Sequence, residues 1–431
     1  MNICMLTNTY LPHVGGVARS VSTFADDYRR LNHQVLVVAP NFDGPPLSRH
    51  QAAIVERVPA IQKFNGSDFS VSLPLGGGLS DRLDRFKADI VHAHHPFLLG
   101  DTALRIGAKK NVPVIFTHHT RYEDYTHYMP FDSPALKEMA INLSTEFANL
   151  CDGVIAPSES IAQLIRRRGV KTPIAVVPTG IDIPALSSGV RARFRRQHQI
   201  PPSAFVVGHV GRLAPEKNLA YLTKAVALFL RGRPAARFLV VGGGPAEALM
   251  QRLCAATGVE SQLILAGKQT GQALHDAYAA MDVFAFASRS ETQGLVVAEA
   301  MAAGLPAVAL NAPGVREVVR NDKNGYLLPS RTTAKKFAQH LARLAEKPQL
   351  RRRLVRGARA TARMFSRDRS AKAALAFYEE VRRATRRRRL ATGLSSWKAF
   401  VQRVGVEWDL LAEKADTVIS ALSSDSKKRA S

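Results

Sequence analysis

Two hydrophobic patterns alternate along the chain. Short aliphatic and β-branched runs, apolar at consecutive positions, separate longer stretches whose apolar residues return every three or four positions. The first pattern suits strands buried between two layers, and the second suits helices packed along one side. The predicted strands are 2–6, 35–39, 90–92, 113–117, 154–156 and 174–177 in the first half, and 205–210, 238–241, 263–266, 283–287, 307–310 and 326–328 in the second. Strand–helix alternation carried through twice predicts an α/β protein of two doubly wound domains. The segment 178–185 (PTGIDIPA) follows the sixth strand and marks the boundary, placing the domains at 1–183 and 184–365.

Residues 334–384 read as helices rich in Ala, Arg and Leu. Beyond them, 391–431 forms a tail with its own pattern. Trp397, Val401, Val404, Trp408, Leu411, Ala415, Val418 and Leu422 lie on one helical face, interrupted by Gly405.

Composition narrows the class. A chain of 431 residues, 46% hydrophobic and 22% charged, has ordinary globular composition and length for two or three domains. Three cysteines, Cys4, Cys151 and Cys254, with no C-x-x-C, exclude a disulfide framework or zinc ribbon and fit a reducing compartment. The first basic residue is Arg19, so no charged leader region is visible. The uncharged stretch 300–315 is too short to span a bilayer and is broken by Gly304, Pro306 and Pro313. A cytosolic protein is expected.

The formal charge of +25 is concentrated: residues 1–184 carry +1, 185–381 carry +17 and 382–431 carry +7. Such an excess attracts polyanions, whether phosphorylated ligands, an anionic membrane face or nucleic acid. No helix-turn-helix, RNP motif or aromatic-interleaved basic stripe accompanies it, so specific nucleic-acid binding is not expected.

Several chemistries lack their motif. There is no H-E-x-x-H, no D-x-D and no P-loop; Ala266-Gly267-Lys268-Gln269-Thr270 has Gln262 where the first P-loop glycine belongs. Gly242-Gly243-Gly244-Pro245 lacks the third glycine of a dinucleotide fingerprint and reads as a tight strand–helix turn. No metal is expected.

Four elements remain. Ser290-Glu291-Thr292-Gln293-Gly294-Leu295-Val296-Val297-Ala298-Glu299 follows a strand and opens a helix, whose free N–H groups and positive dipole end favour a phosphate; alternatively it is a capped surface helix with two solvated glutamates. Gly211-Arg212-Leu213-Ala214-Pro215-Glu216-Lys217 also follows a strand, and Arg212 and Lys217 together suit one anion. Combined, these two strand ends make a diphosphate cradle that needs no metal. Gly15-Gly16-Val17 before a helix either touches a phosphate or sugar or merely turns the chain. The run from Thr117 to Tyr128 follows a strand and, with His92, His94, His95, His118, His119 and His127, reads as neutral core or site histidines rather than metal ligands.

On these residues the chain resembles the retaining glycosyltransferases of family 4, which have the GT-B fold: two Rossmann-like domains facing a central cleft. The carriers are Gly15-Gly16, Gly211-Arg212 with Lys217, Gly242-Gly243-Gly244-Pro245, and Glu291 with Glu299 eight residues on. The segment 118–128, with 178–182 and 290–295, is most similar to diacylglycerol α-glucosyltransferases, and GDP-mannose-dependent α-mannosyltransferases come second.

The resemblance implies a nucleotide-sugar donor, UDP-glucose or a GDP-sugar, and a lipid acceptor. It places Arg212 and Lys217 on the diphosphate, and the amides of Gly294, Leu295 and Val296 on its distal phosphate. Glu291 holds sugar hydroxyls and Glu299 holds the ribose. Gly16, Gly267 and Lys268 complete the donor side, and His119 lies at the reaction centre. Tyr122, Glu123, Tyr125 and His127 form the acceptor side. Retention by front-face attack, assisted by the leaving phosphate, is the family expectation. The segment 366–390 is expected to return as a helix to the N-terminal domain. Arg382, Arg383 and Arg386 to Arg389, with the tryptophan stripe, either dock on anionic lipid at the inner membrane face or pack and solvate as an ordinary tail.

Overall fold

The computed structural model describes residues 1–13, 15–61, 71–72, 77–124 and 133–392. In chain order the strands are β1 (Asn2–Leu6), β2 (Gln34–Pro40), β3 (Val55–Val58), a small antiparallel pair β4 (Ala60–Ile61) and β5 (Val71–Ser72), then β6 (Ile90–Ala93), β7 (Val114–Thr117), β8 (Gly153–Ala156) and β9 (Ile174–Val176). The second half supplies β10 (Val206–Val210), β11 (Arg237–Val241), β12 (Leu263–Leu265), β13 (Val283–Phe286), β14 (Ala307–Leu310) and β15 (Gly325–Leu328). All but β4 and β5 form two parallel sheets, ordered β3-β2-β1-β6-β7-β8-β9 and β12-β11-β10-β13-β14-β15.

Each predicted strand lies within about a residue of an observed one. Three strands go beyond the prediction. The edge strand β3 (VERV) has two charged residues among four, so it carries no apolar run to detect. The pair β4 and β5 contributes two residues each, too few for any periodicity.

Apolar residues cover both faces of each sheet. Ile3 and Met5 pack on one side of β1 while Cys4 and Leu6 pack on the other, as alternation requires of a strand between two helical layers. The second sheet is sandwiched in the same way.

The chain crosses between lobes twice, and the two crossings lie side by side: the Ile181 amide donates to the Phe365 carbonyl at 2.8 Å. The second crossing starts the helix Arg367–Thr392. That helix packs on the first lobe, with Ala371, Ala374, Phe377, Tyr378 and Val381 joining the core around Ile3, Val21 and Tyr28. Tyr378 Oη lies 2.9 Å from Tyr28 Oη, and Arg367 pairs with the buried Asp27 at 2.9 Å.

Strand order reverses direction between β1 and β6 in the first sheet and between β10 and β13 in the second. Crevices at such switch points, beyond the carboxyl ends of strands, are where open α/β sheets bind ligands. Among the described residues no helix is long and apolar enough to cross a membrane.

Candidate active site

The loops leaving β10 and β13 are neighbours because their strands are. From β10 the chain passes Gly211 and Arg212 into a short 3-10 turn, Pro215–Lys217, and then the helix Leu219–Leu230. From β13 it runs through residues 287–293 into the helix Leu295–Ala302. Backbone and side chain stitch the loops together: Asn218 Nδ2 donates to the Ala287 carbonyl at 3.2 Å and the Arg289 amide to the Glu216 carbonyl at 3.4 Å.

The consequence is one cluster of opposite charges. Lys217 Nζ lies 2.7 Å from Glu291 Oε1, both side chains largely buried, and Arg212 Nη2 lies 2.5 Å from Glu216 Oε1. The two strand ends that the sequence linked only by inference therefore meet. Each cation is paired with a carboxylate, which offsets the repulsion between the like charges of Arg212 and Lys217.

Gly294 starts the adjacent helix in the left-handed region, φ +73°, where a side chain would be strained. The carbonyl of Gly294 accepts from Val297 and Ala298, while the first-turn amides of Leu295 and Val296 lie at the positive end of the helix dipole. Beside them, Gly242 packs so tightly that a Cβ would sit 1.8 Å from the Gly211 carbonyl oxygen. With the matching contact at Gly244, where a Cβ would sit 2.5 Å from the Leu213 carbonyl oxygen, it explains two of the three glycines: they fit the β11 turn against the β10 loop. Gly267 hydrogen-bonds this turn through its carbonyl, and Lys268 extends along Gly243, exposed.

Glu299 is 1% exposed. Its Oε2 accepts from Tyr278 Oη at 2.9 Å, and its Oε1 lies 2.6 Å from Arg19 Nη1. Arg19 belongs to the other lobe, one turn past Gly16 on the helix Gly16–Arg30. Burial raises the Glu299 pKa above its ordinary value, and Arg19 and Tyr278 pull the other way. A Cβ at Gly16 would meet nothing within 4 Å, so this stretch of the first lobe is open.

Four further contacts join the lobes. Gln293 and Thr179 exchange two hydrogen bonds at 2.8 Å, side-chain amide to backbone. Ser158 Oγ donates to the Thr292 carbonyl at 2.6 Å. The Glu317 carboxylate takes the Glu159 and Ser160 amides at 2.6 Å each, neutralising the start of the helix Glu159–Arg167. Ser290 Oγ donates to Asp124 Oδ2 at 2.6 Å.

The first lobe presents its histidines at the ends of β6 and β7. His119 is half-buried, with Nε2 2.9 Å from His94 Nδ1. Burial drives all five toward neutrality: His92 down to about 3, His95 and His118 to about 4, and His94 and His119 well below the usual range. Among the described residues no group of three or more His, Cys, Asp or Glu is arranged to hold a metal ion.

The acceptor-side candidates divide. Tyr122 is partly buried, its ring against Phe97 and His118. Glu123 is 8% exposed and bound to Arg168 at 2.6 Å and Arg121 at 3.2 Å. Burial opposes its ionisation, but Arg168 outweighs that and leaves its pKa lowered. Glu123 thus ties its loop to Arg121 and Arg168. Tyr125 and His127 lie outside the described residues, as do Trp397, Trp408 and the rest of 393–431.

Sequence reading missed Arg19, Asp124, Tyr278, Gln293 and Glu317. Arg19 alone left a signal, a cation one helical turn beyond a glycine pair. The others work through partners more than a hundred residues away, except Tyr278, whose partner Glu299 is on a neighbouring helix.

Comparison with known proteins covers both lobes. Residues 14–184 match the family described as Glycosyltransferase Family 4, and 190–361 match Glycosyl transferases group 1. The chain is 26% identical over 391 residues to the alpha-monoglucosyldiacylglycerol synthase of Acholeplasma laidlawii, covering 88% of this chain and 96% of that protein. It is 30% identical over 333 residues to the GDP-mannose-dependent alpha-mannosyltransferase of Mycolicibacterium smegmatis, covering 76% and 84%. Among solved structures it superposes on Anabaena Alr3699/HepE in complex with UDP with a TM-score of 0.69 at 21% identity, covering 88% of this chain and all of that one. Sucrose-phosphate synthase from Thermosynechococcus elongatus gives 0.70 at 19%, covering 89% and 99%. With both lobes matched, and the two parallel sheets shared with GT-B structures, the chain belongs to the family-4 glycosyltransferases and is a hexosyltransferase.

Proposed function

We propose that this protein moves glucose, with retention, from UDP-glucose to a membrane lipid acceptor such as diacylglycerol, without a metal ion. The observation that carries the reading is the meeting of Lys217 and Glu291 at 2.7 Å beside the Gly294 helix start. A cation and a carboxylate beside the first-turn amides of a helix support a site for a sugar attached to a diphosphate.

Breaking the sugar–phosphate bond leaves negative charge on the nucleotide diphosphate. Arg212, Lys217 and the amides of Gly294, Leu295 and Val296 are fixed donors that stabilise it where it develops. Glu291 orients the sugar, Glu299 the ribose, and His119 approaches from the facing lobe. Contacts between the lobes bring the two sides together and exclude water, which otherwise competes as acceptor. Diacylglycerol follows from the likeness to monoglucosyldiacylglycerol synthases. The basic residues Arg382, Arg383, Arg386 and Arg387, all exposed on the returning helix, supply an attraction for anionic lipid at the cytoplasmic face of the membrane.

A donor screen tests this. The purified protein is mixed with vesicles containing diacylglycerol and anionic lipid, with UDP-glucose or GDP-mannose, with and without EDTA. An α-linked glucolipid that forms equally in EDTA is the expected product. A mannolipid from GDP-mannose alone would shift the assignment to the second reading, which the 30% identity to a mannosyltransferase favours. No glycolipid from either donor would end both.

A further inference from the structure

The histidines at the ends of β6 and β7 form a chain of contacts with a definite polarity. His92 is fixed on both ring nitrogens: Nε2 lies 2.7 Å from Thr117 Oγ1 and Nδ1 lies 2.6 Å from Tyr378 Oη. Tyr378 comes from the returning helix and is itself bonded to Tyr28. His94 packs against His92 with ring centres 4.0 Å apart and the planes tilted by 38°. His94 is completely buried, and its Nδ1 meets His119 Nε2 at 2.9 Å. Among the described residues His94 Nε2 has no hydrogen-bond partner.

Both rings are neutral, so the bond between them contains one proton, and either ring can supply it. Suppose His119 donates from Nε2. Then His94 must carry its own proton on Nε2, a buried N–H with nothing to bond. Suppose instead that His94 donates from Nδ1. Then His94 Nε2 is a bare lone pair, and no donor is orphaned. Orphaned buried N–H groups are rarer in folded proteins than under-satisfied acceptors, so the second arrangement is favoured. It also fixes the other ring, since the tautomer of an imidazole is set by the bond its partner nitrogen makes. With Nε2 accepting, His119 carries its proton on Nδ1.

We propose that His94 is a positioning residue that locks His119 into the Nδ1–H tautomer, making His119 a hydrogen-bond donor to an oxygen of the nucleotide sugar rather than a base. The inference rests on the reading of His119 as a reaction-centre residue. A donor matches the chemistry there, because charge builds on the departing phosphate oxygens. His92, held by Thr117 and Tyr378, backs His94 and connects this polarity to the returning helix. Buried His94 therefore serves the site without touching substrate.

Long-range proton–nitrogen spectra of protein labelled with 15N-histidine, recorded at pH 7.5, test the assignment directly, with signals assigned by His119→Asn and His94→Phe. In the wild type, His119 is expected to show a protonated Nδ1 and a bare Nε2. His94→Phe should abolish that preference and lower kcat for glycosyl transfer about tenfold, the factor one ordinary hydrogen bond supplies, with the donor KM within about twofold. His94→Asn, whose amide can donate to Nε2, should restore both the tautomer and most of the rate. A wild-type His119 protonated on Nε2 overturns the proposal. So does a His94→Phe variant that folds and keeps the His119 tautomer. The spectra decide the tautomer whether or not the chosen donor turns over, so failure of the glucosyl reading leaves this result independent.

Discussion

Replacing Glu291 with Gln separates nucleotide binding from sugar transfer. Lys217 Nζ is held by Glu291 Oε1 at 2.7 Å, with 17% and 14% of the two side chains exposed. A diphosphate arriving at Lys217 must share or displace that carboxylate. A hydrogen bond to a charged group contributes about 1.5–3 kcal/mol, and partial exposure moves this one toward the lower figure. Glu291→Gln keeps the shape, removes the negative charge and releases Lys217. A free nucleoside diphosphate should then bind about tenfold more tightly, since 1.4 kcal/mol is one decade. Transfer should fall, by about a hundredfold or more, if the carboxylate holds the sugar hydroxyls and orients the reacting carbon as proposed. The companion Lys217→Met should weaken the diphosphate by about tenfold or more. Isothermal titration with UDP and GDP, beside a glycolipid assay, measures both. If Glu291→Gln binds both nucleotides more weakly than wild type, Lys217 and Glu291 do not contend for one anion and the cradle is wrongly built.

Other expectations follow from the same contacts. Arg19→Ala leaves the buried Glu299 without its cation. Removing one partner of a buried pair costs about 3–5 kcal/mol, and the half-exposed guanidinium reduces this to ~1–2, read as a lower Tm and a looser particle by small-angle scattering; an unchanged Tm and radius would show that this ion pair does not hold the lobes together. Gly294→Ala forces a side chain into φ +73° and should cost about 1–2 kcal/mol while weakening UDP several-fold, since the amides proposed to hold the phosphate would tilt; unchanged binding by titration would remove Gly294 from the site. The neutral histidines make the fold acid-sensitive. His92, His95 and His118 have folded values of about 3 to 4 against an ordinary 6.5, so their contribution is complete above 6.5 and is lost as pH falls toward 4. A Tm that drops steeply between pH 6.5 and 4, and less so in His118→Phe, is expected; a flat profile contradicts the burial. Glu299 has the opposite sign: its raised value means stability declines as pH rises past 4.5, and Glu299→Gln should remove that slope in the same Tm series.

The sequence by itself determined the two α/β lobes, because an apolar run between helical stretches has one stable home, the middle of a parallel sheet. It also pointed to the loops after β10 and β13 as candidates for chemistry: glycines and cations directly after strands are legible as short local patterns, and the structure brings Lys217 and Glu291 of those loops together. What it left undecided depends on contacts between distant segments. Glu123 sits in the run that pointed to the acceptor, yet Arg168, forty-five positions on, claims it. Glu299 looked like half of a helical pair, and only the approach of the opposite lobe gives it Arg19. The order of the strands settles these matters. It sets β10 beside β13 and β6 beside β7, and adjacency in a sheet cannot be read from periodicity, which records only how each strand is buried. The polarity of the histidine chain is further still from the sequence, since it turns on which buried nitrogen has a partner once every helix and loop has been placed.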